Sequence, residues 1–320
     1  MKKSSLFRIF VILIISSALT ALIVFFVMPE FGKKYKADLI ELYSESNSIS
    51  TFYDLDYDGV SENISFKHDT NKPFVIVKDG ISLTIIEQWN FHTGTFGDFG
   101  FANFDHDTLQ EVYFTYFIND SINLYQIVPI RNSHKKSIFI SFTSQHQGEY
   151  EYPGTFAGTY DLNDDGFNEI IFTFEAGFTL KPRKIIAWDV KNDTIYSSPF
   201  SGTAIFYPDI EDINNDNNLE ILGQTRAFDN CENFPYSDST AWLMVLDDQL
   251  NFLFEPVPIG ENYSIVTYKP INSQENRNII ALHTSNTKEM SSEILLFSAM
   301  GKLISKKPLP ADYSYADSWL

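Results

Sequence analysis

Residues Asp54 to Glu62 read DLDYDGVSE: acids at positions 1, 3 and 5, a glycine at position 6, and a glutamate at position 9. Four carboxylates within nine residues repel one another, and the whole chain of 320 residues already carries a formal charge of -19. Such a segment makes chemical sense when a cation sits among its oxygens. Calcium takes about six to eight oxygen ligands. A short loop reaches around it when alternate side chains point inward and a glycine allows the sharp turn. Magnesium demands a tighter octahedron and keeps its waters, so it fits this spacing less well. The competing reading of one such loop is a polar turn in which Asp and Asn cap their own backbone.

The pattern returns three times, as NFDHDTLQE at 103–111, DLNDDGFNE at 161–169 and DINNDNNLE at 212–220. Positions 1, 3 and 5 are always Asp or Asn, and position 9 is always Glu. A worn fifth copy, PINSQENRN, begins at Pro270. Strand-like residues follow each copy, and a second hairpin pattern follows those, in FVIVKDGISLTII, LYQIVPIRNSHKKSIFISF, IIAWDVKNDTIYSSP, WLMVLDDQLNFLF and EILLFSAMGKLISKK. Recurrence about every 50 residues means an array of equivalent units, and four short antiparallel strands per unit describe β-propeller blades. The expected fold is therefore all-β, a propeller of about five blades, with the tail at 313–320 able to open a sixth.

The nonapeptide DxDxDGxxE between two strands, repeated unit after unit, resembles the FG-GAP or VCBS-type repeats of the integrin alpha-chain propeller and its bacterial relatives. The resemblance covers residues from about 49 to 306, with Thr108 and Asn217 standing where the family has glycine. It implies up to four structural calcium ions. The first would be held by Asp54, Asp56, Asp58, Glu62 and the carbonyl of Val60, and the second by Asn103, Asp105, Asp107 and Glu111. The third would take Asp161, Asn163, Asp165, Glu169 and the carbonyl of Phe167, and the fourth Asp212, Asn214, Asp216 and Glu220. Loops one and three fit best, because Thr108 has no easy access to the left-handed conformation while Asn217 tolerates it.

Residues 9–28, IFVILIISSALTALIVFFVM, are twenty uncharged residues. At about 1.5 Å per residue they match the roughly 30 Å hydrocarbon layer. The expectation is an uncleaved membrane helix after a cytoplasmic segment at 1–8. A polar stalk at 29–48 and an extracytoplasmic propeller at 49–320 would follow. The rival is a cleaved signal peptide, whose apolar core is usually shorter. Basic residues flank the run on both sides, so the positive-inside count is nearly balanced.

Composition narrows the function classes. The excess of 42 acidic over 23 basic residues excludes general attraction to nucleic acid or anionic lipid. The single cysteine, Cys231, excludes an intrachain disulfide and a thiolate zinc site. His68, His92, His106, His134, His146 and His283 show no HExxH spacing, and GxSxG is absent from the sequence. Sequons at Asn63, Asn119, Asn192 and Asn262 matter only in a glycosylating host.

Long connections at 89–100, 143–158, 175–183 and 224–239 fall on the face opposite the acidic loops. Trp89, His92, Tyr150, Tyr152, Phe178, Arg183, Arg226, Phe228, Asp229 and Tyr236 lie in them and suit a glycan or protein ligand. The bland reading of these aromatics is filling between blades. The expected function is a non-enzymatic, membrane-anchored, calcium-binding ectodomain for ligand binding, adhesion or sensing. The alternatives are a propeller domain of a polysaccharide-active enzyme, or a structural subunit of a membrane complex.

Overall fold

A computed structural model describes residues 16, 17, 20, 48–68, 72–130, 134–151, 154–176, 182–230, 234–261, 263–272, 277–285 and 292–310. The chain divides into Met1–Glu45 and Ser46–Leu320, and the second unit carries the strands.

Strand formation follows from unbroken apolar and aromatic runs. Glu111–Ile118, EVYFTYFI, is buried along nearly its whole length. Successive side chains on a strand point to opposite faces, so a run apolar at every position must be covered on both sides. Val112, Phe114 and Tyr116 enter one core cluster, while Tyr113 and Phe117 enter another. The same division occurs further on, where Ile170 and Phe172 face backward along the chain and Ile171 faces forward.

The first sheet orders β1 (Ser48–Tyr53), β2 (Glu62–Lys67), β3 (Phe74–Lys78) and β4 (Ile85–Asn90) consecutively and antiparallel. The second does the same with β5 (Thr95–Ala102), β6 (Glu111–Ile118), β7 (Ser121–Val128) and β8 (His134–Phe142). A short ribbon, β9 (Gln145–His146) with β10 (Glu149–Tyr150), precedes the third sheet. That sheet holds β11 (Thr155–Tyr160), β12 (Glu169–Glu175), β13 (Arg183–Asp189) and β14 (Thr194–Ser197).

The fourth unit is less regular. It comprises β15 (Phe206–Glu211), β16 (Glu220–Arg226), β17 (Thr240–Leu243), β18 (Val245–Leu246) and β19 (Val257–Glu261). Here β18 pairs with the start of β16, while β17 pairs with β19. The fifth unit is β20 (Ser264–Asn272), β21 (Arg277–Ser285), β22 (Glu293–Ser298) and β23 (Leu303–Pro308). It joins the fourth because Thr225 and Arg226 pair with Val266 and Ile265.

Four hydrophobic clusters link these units in order. Ile64, Phe66 and Val75 of the first pack with Phe96 and Phe114 of the second. Tyr113 and Leu124 pack with Phe172 and Trp188, Ile171 and Ile185 with Ile221 and Met244, and Leu222 and Leu243 with Tyr268 and Phe297. Each large buried side chain contributes about 1.5–3 kcal/mol relative to exposure. The stacking therefore positions the described inter-strand loops.

The all-β expectation agrees with this architecture, but the membrane helix is corrected. No helix among the described residues is long and apolar enough to cross a membrane. Within 9–28, Ser16, Ser17 and Thr20 are described; they are helical, exposed and polar, and Thr20 Oγ1 donates to the Ser16 carbonyl at 2.9 Å. The remainder of that run, and residues 29–47 of the stalk expected at 29–48, lie outside the described residues, while Ser48 begins β1. The single-pass topology with an extracytoplasmic propeller, and the membrane as a partner, lose their structural basis with that helix.

Candidate functional site

The four nonapeptides connect β1 to β2, β5 to β6, β11 to β12 and β15 to β16. In each, the position-9 glutamate turns inward and one carboxylate oxygen accepts from the position-2 backbone N–H. The pairs are Leu55 to Glu62 at 2.8 Å, Phe104 to Glu111 at 3.3 Å, Leu162 to Glu169 at 2.7 Å and Ile213 to Glu220 at 2.8 Å. Position 5 accepts from the N–H of position 7 in all four. Position 4 adopts a left-handed backbone throughout, with φ of 57°, 57°, 57° and 64° at Tyr57, His106, Asp164 and Asn215. That requirement was invisible in residue type, since a tyrosine and a histidine meet it. His106 is therefore a turn residue.

Burial raises the position-9 carboxyls, and neighbouring aspartates raise them further. Glu62 moves upward, Glu111 is pushed up to about 8, and Glu169 and Glu220 to about 7. Taking a carboxylate out of water disfavours its charged form, and like charges add to the effect.

The loops then diverge. The carboxylate oxygens of Asp54, Asp56 and Asp58 gather within 4.8 Å of one another, as do those of Asp105, Asp107 and Glu111. These two clusters could coordinate a divalent ion. At position 1 of the same two loops, buried Asp54 Oδ1 and Asn103 Oδ1 have no hydrogen-bond partner. A bare, buried oxygen is costly unless something positive meets it. In the third and fourth loops both position-1 oxygens are used. Asp161 accepts from Asp165 and Gly166, and Asp212 accepts from Asn214, Asn215 and Asn217. There the position-3 amides also donate inward, Asn163 Nδ2 to Glu169 Oε1 at 2.9 Å and Asn214 Nδ2 to Glu220 Oε1 at 3.1 Å.

The sequence ranking of loops one and three as the best fit is thus revised. The acidic clusters form in loops one and two, because an aspartate at position 3 cannot donate. Backbone freedom followed expectation: Gly59, Gly166 and Asn217 occupy the left-handed region and Thr108 does not.

Among the described residues at the opposite ends of the strands, several of the expected ligand contacts are taken up in packing. Trp89 belongs to the first core cluster. Arg183 is buried, its Nη1 2.9 Å from Asp238 Oδ2, its Nε donating to the Ala176 carbonyl and its Nη2 to Asn230 Oδ1. Tyr236 packs edge-on against Trp242 and Phe252. Tyr152, Phe178, Cys231 and Asn262 lie outside the described residues.

A cavity of about 410 Å³ is lined by residues of the third, fourth and fifth units. Thr155, Phe156, Tyr207, Gln224, Tyr268 and Lys269 are among its lining residues. A bulge in β15 between Phe206 and Asp209 carries Tyr207, 64% exposed and held at φ 48°. Gly223 permits the approach, since a Cβ there would meet the Phe206 carbonyl oxygen at 2.6 Å. Gln224 Oε1 accepts from Arg226 Nε at 2.7 Å, and the guanidinium lies 4.5 Å from the Phe206 ring centroid, 5.8 Å from Tyr207 and 5.9 Å from Phe228. Thr155 also hydrogen-bonds Glu175, whose carboxyl burial pushes up to about 7 against the lowering field of Arg226. Glu175 Oε2 is buried without a partner. A perturbed carboxyl, a fixed cation and aromatic walls beside one cavity were beyond sequence reading, which had singled out Arg226 and Phe228 alone of this group.

No protein-family model matches the chain, and no curated protein matches it. Among solved structures it is similar to an exotype rhamnogalacturonan lyase, at 14% identity and TM-score 0.47 over 81% of this chain and 46% of that one. It is also similar to a cobalt-substituted Synechocystis apocarotenoid oxygenase (8% identity, TM-score 0.41, 81% of this chain and 61% of that one). A chimera of that oxygenase with RPE65 gives 9% identity and TM-score 0.42 over 79% and 59%. The chain spans about half the length of the first of these and about 60% of the others.

The FG-GAP or VCBS, integrin-like resemblance is overturned, because no family model matches the chain. The nonapeptide spacing is present, but its position-6 glycine survives in two of four loops and no family model matches. The membrane-anchored, calcium-binding ectodomain for ligand binding, adhesion or sensing falls with that resemblance, and no helix among the described residues is long and apolar enough to anchor it. The expectation of a non-enzyme is likewise set aside, since two acidic clusters could hold a metal.

Proposed function

We propose that Ser46–Leu320 is a calcium-stabilised all-β domain that acts on a saccharide in the cavity beside Glu175. The observation that carries this reading is the buried, unpartnered Glu175 Oε2 next to an arginine caged by three aromatic rings. A carboxyl poised near neutrality can both take and give a proton at an oxygen, which is the requirement of general acid–base catalysis. Gln224 and Thr155, which line the cavity and hydrogen-bond Arg226 and Glu175 behind them, would relay that pair to a hydroxyl-bearing substrate. Tyr207 and Phe156 would offer apolar surface to the carbon-bound hydrogens of a sugar ring. Arg226 and Lys269 balance Glu175 and Asp209 in charge, and Lys269 already pairs with Asp209, so the substrate expected is neutral.

Calcium is the ion proposed for the first two loops. Asp54, Asp56, Asp58 and Glu62, with the Val60 carbonyl, would hold one ion, and Asn103, Asp105, Asp107 and Glu111 the other. Hard oxygen donors on a flexible loop suit calcium, and the bare Asp54 Oδ1 and Asn103 Oδ1 support the fit. Its role is structural, neutralising the charge between paired strands.

The test is a panel of neutral polysaccharides and oligosaccharides, followed by release of reducing ends and by calorimetric binding. Saturable turnover that falls at least 100-fold in Glu175→Gln supports the proposal. Neither turnover nor binding across the panel, or turnover unchanged by that substitution, sinks it.

A further inference from the structure

The third loop carries its own cation. Lys191 follows β13 at the turn toward β14, and its Nζ lies 3.3 Å from Asp165 Oδ2, the position-5 carboxylate. The same ammonium sits 3.8 Å from the centroid of the Phe167 ring, at position 7 of that loop. It is thus held between a carboxylate and an aromatic face, two surfaces that both attract positive charge. The corresponding turn of the fourth unit has the opposite sign. Asp247 and Asp248 occupy it, and the Asp248 carboxyl is raised by burial, by Asp247 and by Asp216, the position-5 residue of loop four.

We infer that Lys191 is a tethered substitute for a divalent ion in loop three, so that calcium occupies loops one and two and passes over loop three. An incoming ion at Asp161 and Asp165 would have to displace the ammonium from Asp165 and from the Phe167 ring, or bind against its repulsion. The loop needs no such ion. Both oxygens of Asp161 accept backbone hydrogen bonds, and Asn163 donates to Glu169 Oε1. Loops one and two instead leave a buried position-1 oxygen bare. This assignment rests on the calcium reading of loops one and two.

The experiment uses the full chain with CaCl2 as probe, by calorimetric stoichiometry and by anomalous density from crystals grown in millimolar calcium. Lys191 is 38% exposed, so Lys191→Met is expected to fold. The expected result is an ion in loops one and two, with none at Asp165 in the native chain. Lys191→Met gains one further site at loop three, and Lys191→Arg keeps the native count. An ion bound to Asp165 in the native chain, or an unchanged count in Lys191→Met, overturns the inference. Calcium missing from loops one and two in every protein overturns the calcium reading together with it, and is distinguished by where density is absent.

Discussion

The two ends of the sheets both hold glutamates whose carboxyls lie near neutrality, and they use them in opposite ways. At the loop end Glu169 and Glu220, each pushed to about 7, accept from a backbone N–H and from an asparagine amide. At the other end Glu175, also pushed to about 7, leaves Oε2 without a partner. A raised carboxyl pKa alone therefore does not mark a reactive group. What separates the two is whether the surroundings have already spent the oxygen on holding the chain together.

Replacing one glutamate at each end breaks or sharpens this contrast. Glu169→Ala strands the Leu162 N–H and the Asn163 amide, and should cost about 2–4 kcal/mol in urea unfolding, with turnover per folded molecule preserved. Glu175→Gln should lower turnover at least 100-fold, about 2.7 kcal/mol in barrier, with little loss of stability. If the two substitutions exchanged these effects, the assignment of ends would be reversed.

Proton linkage gives a smaller effect. The folded-state pKa of Glu175 lies above its ordinary value, so the folded protein holds that proton more tightly. Its contribution to stability is fully present below about pH 4.5 and is lost as pH rises through about 7. Glu175→Gln should flatten this part of the curve, by on the order of 1–3 kcal/mol between pH 5 and 8, in melts made without calcium. A curve superposable on the native one would show that Glu175 is not the group that titrates.

The smallest effect belongs to the strained wall residue. Tyr207→Gly relieves a left-handed φ and should raise stability by roughly 0.5–1 kcal/mol, while saccharide affinity falls about tenfold. Affinity unchanged in that variant would remove Tyr207 from the cavity's function.

How much of this could be read from the chain depends on distance along it. The nonapeptides were legible because all their donors and acceptors lie within nine residues, and the strands because EVYFTYFI and EIIFTFE admit no solvent-exposed face. The division among loops was not, since it depends on which way an Asn amide turns and on Lys191 reaching back to Asp165, 26 residues earlier. The cavity was hidden more deeply. Thr155, Tyr207, Gln224 and Lys269 line it from three units and meet only after those units stack. Arg183 shows the converse hazard: a loop-edge arginine that read as a ligand contact is sealed against Asp238.

Strand β16 pairs with β18 through Ile221 and Leu222, then with β20 through Thr225 and Arg226. This splice makes the last two units a single cooperative block, so that neither can open alone without unzipping the other's hydrogen bonds. Because Arg226 is one of the spliced residues, any loosening of the fifth unit would pull the guanidinium out of its aromatic cage. Amide exchange at Thr225 and Arg226 should accordingly track that of β21, coupling the Arg226 guanidinium to the hairpin of β20 and β21.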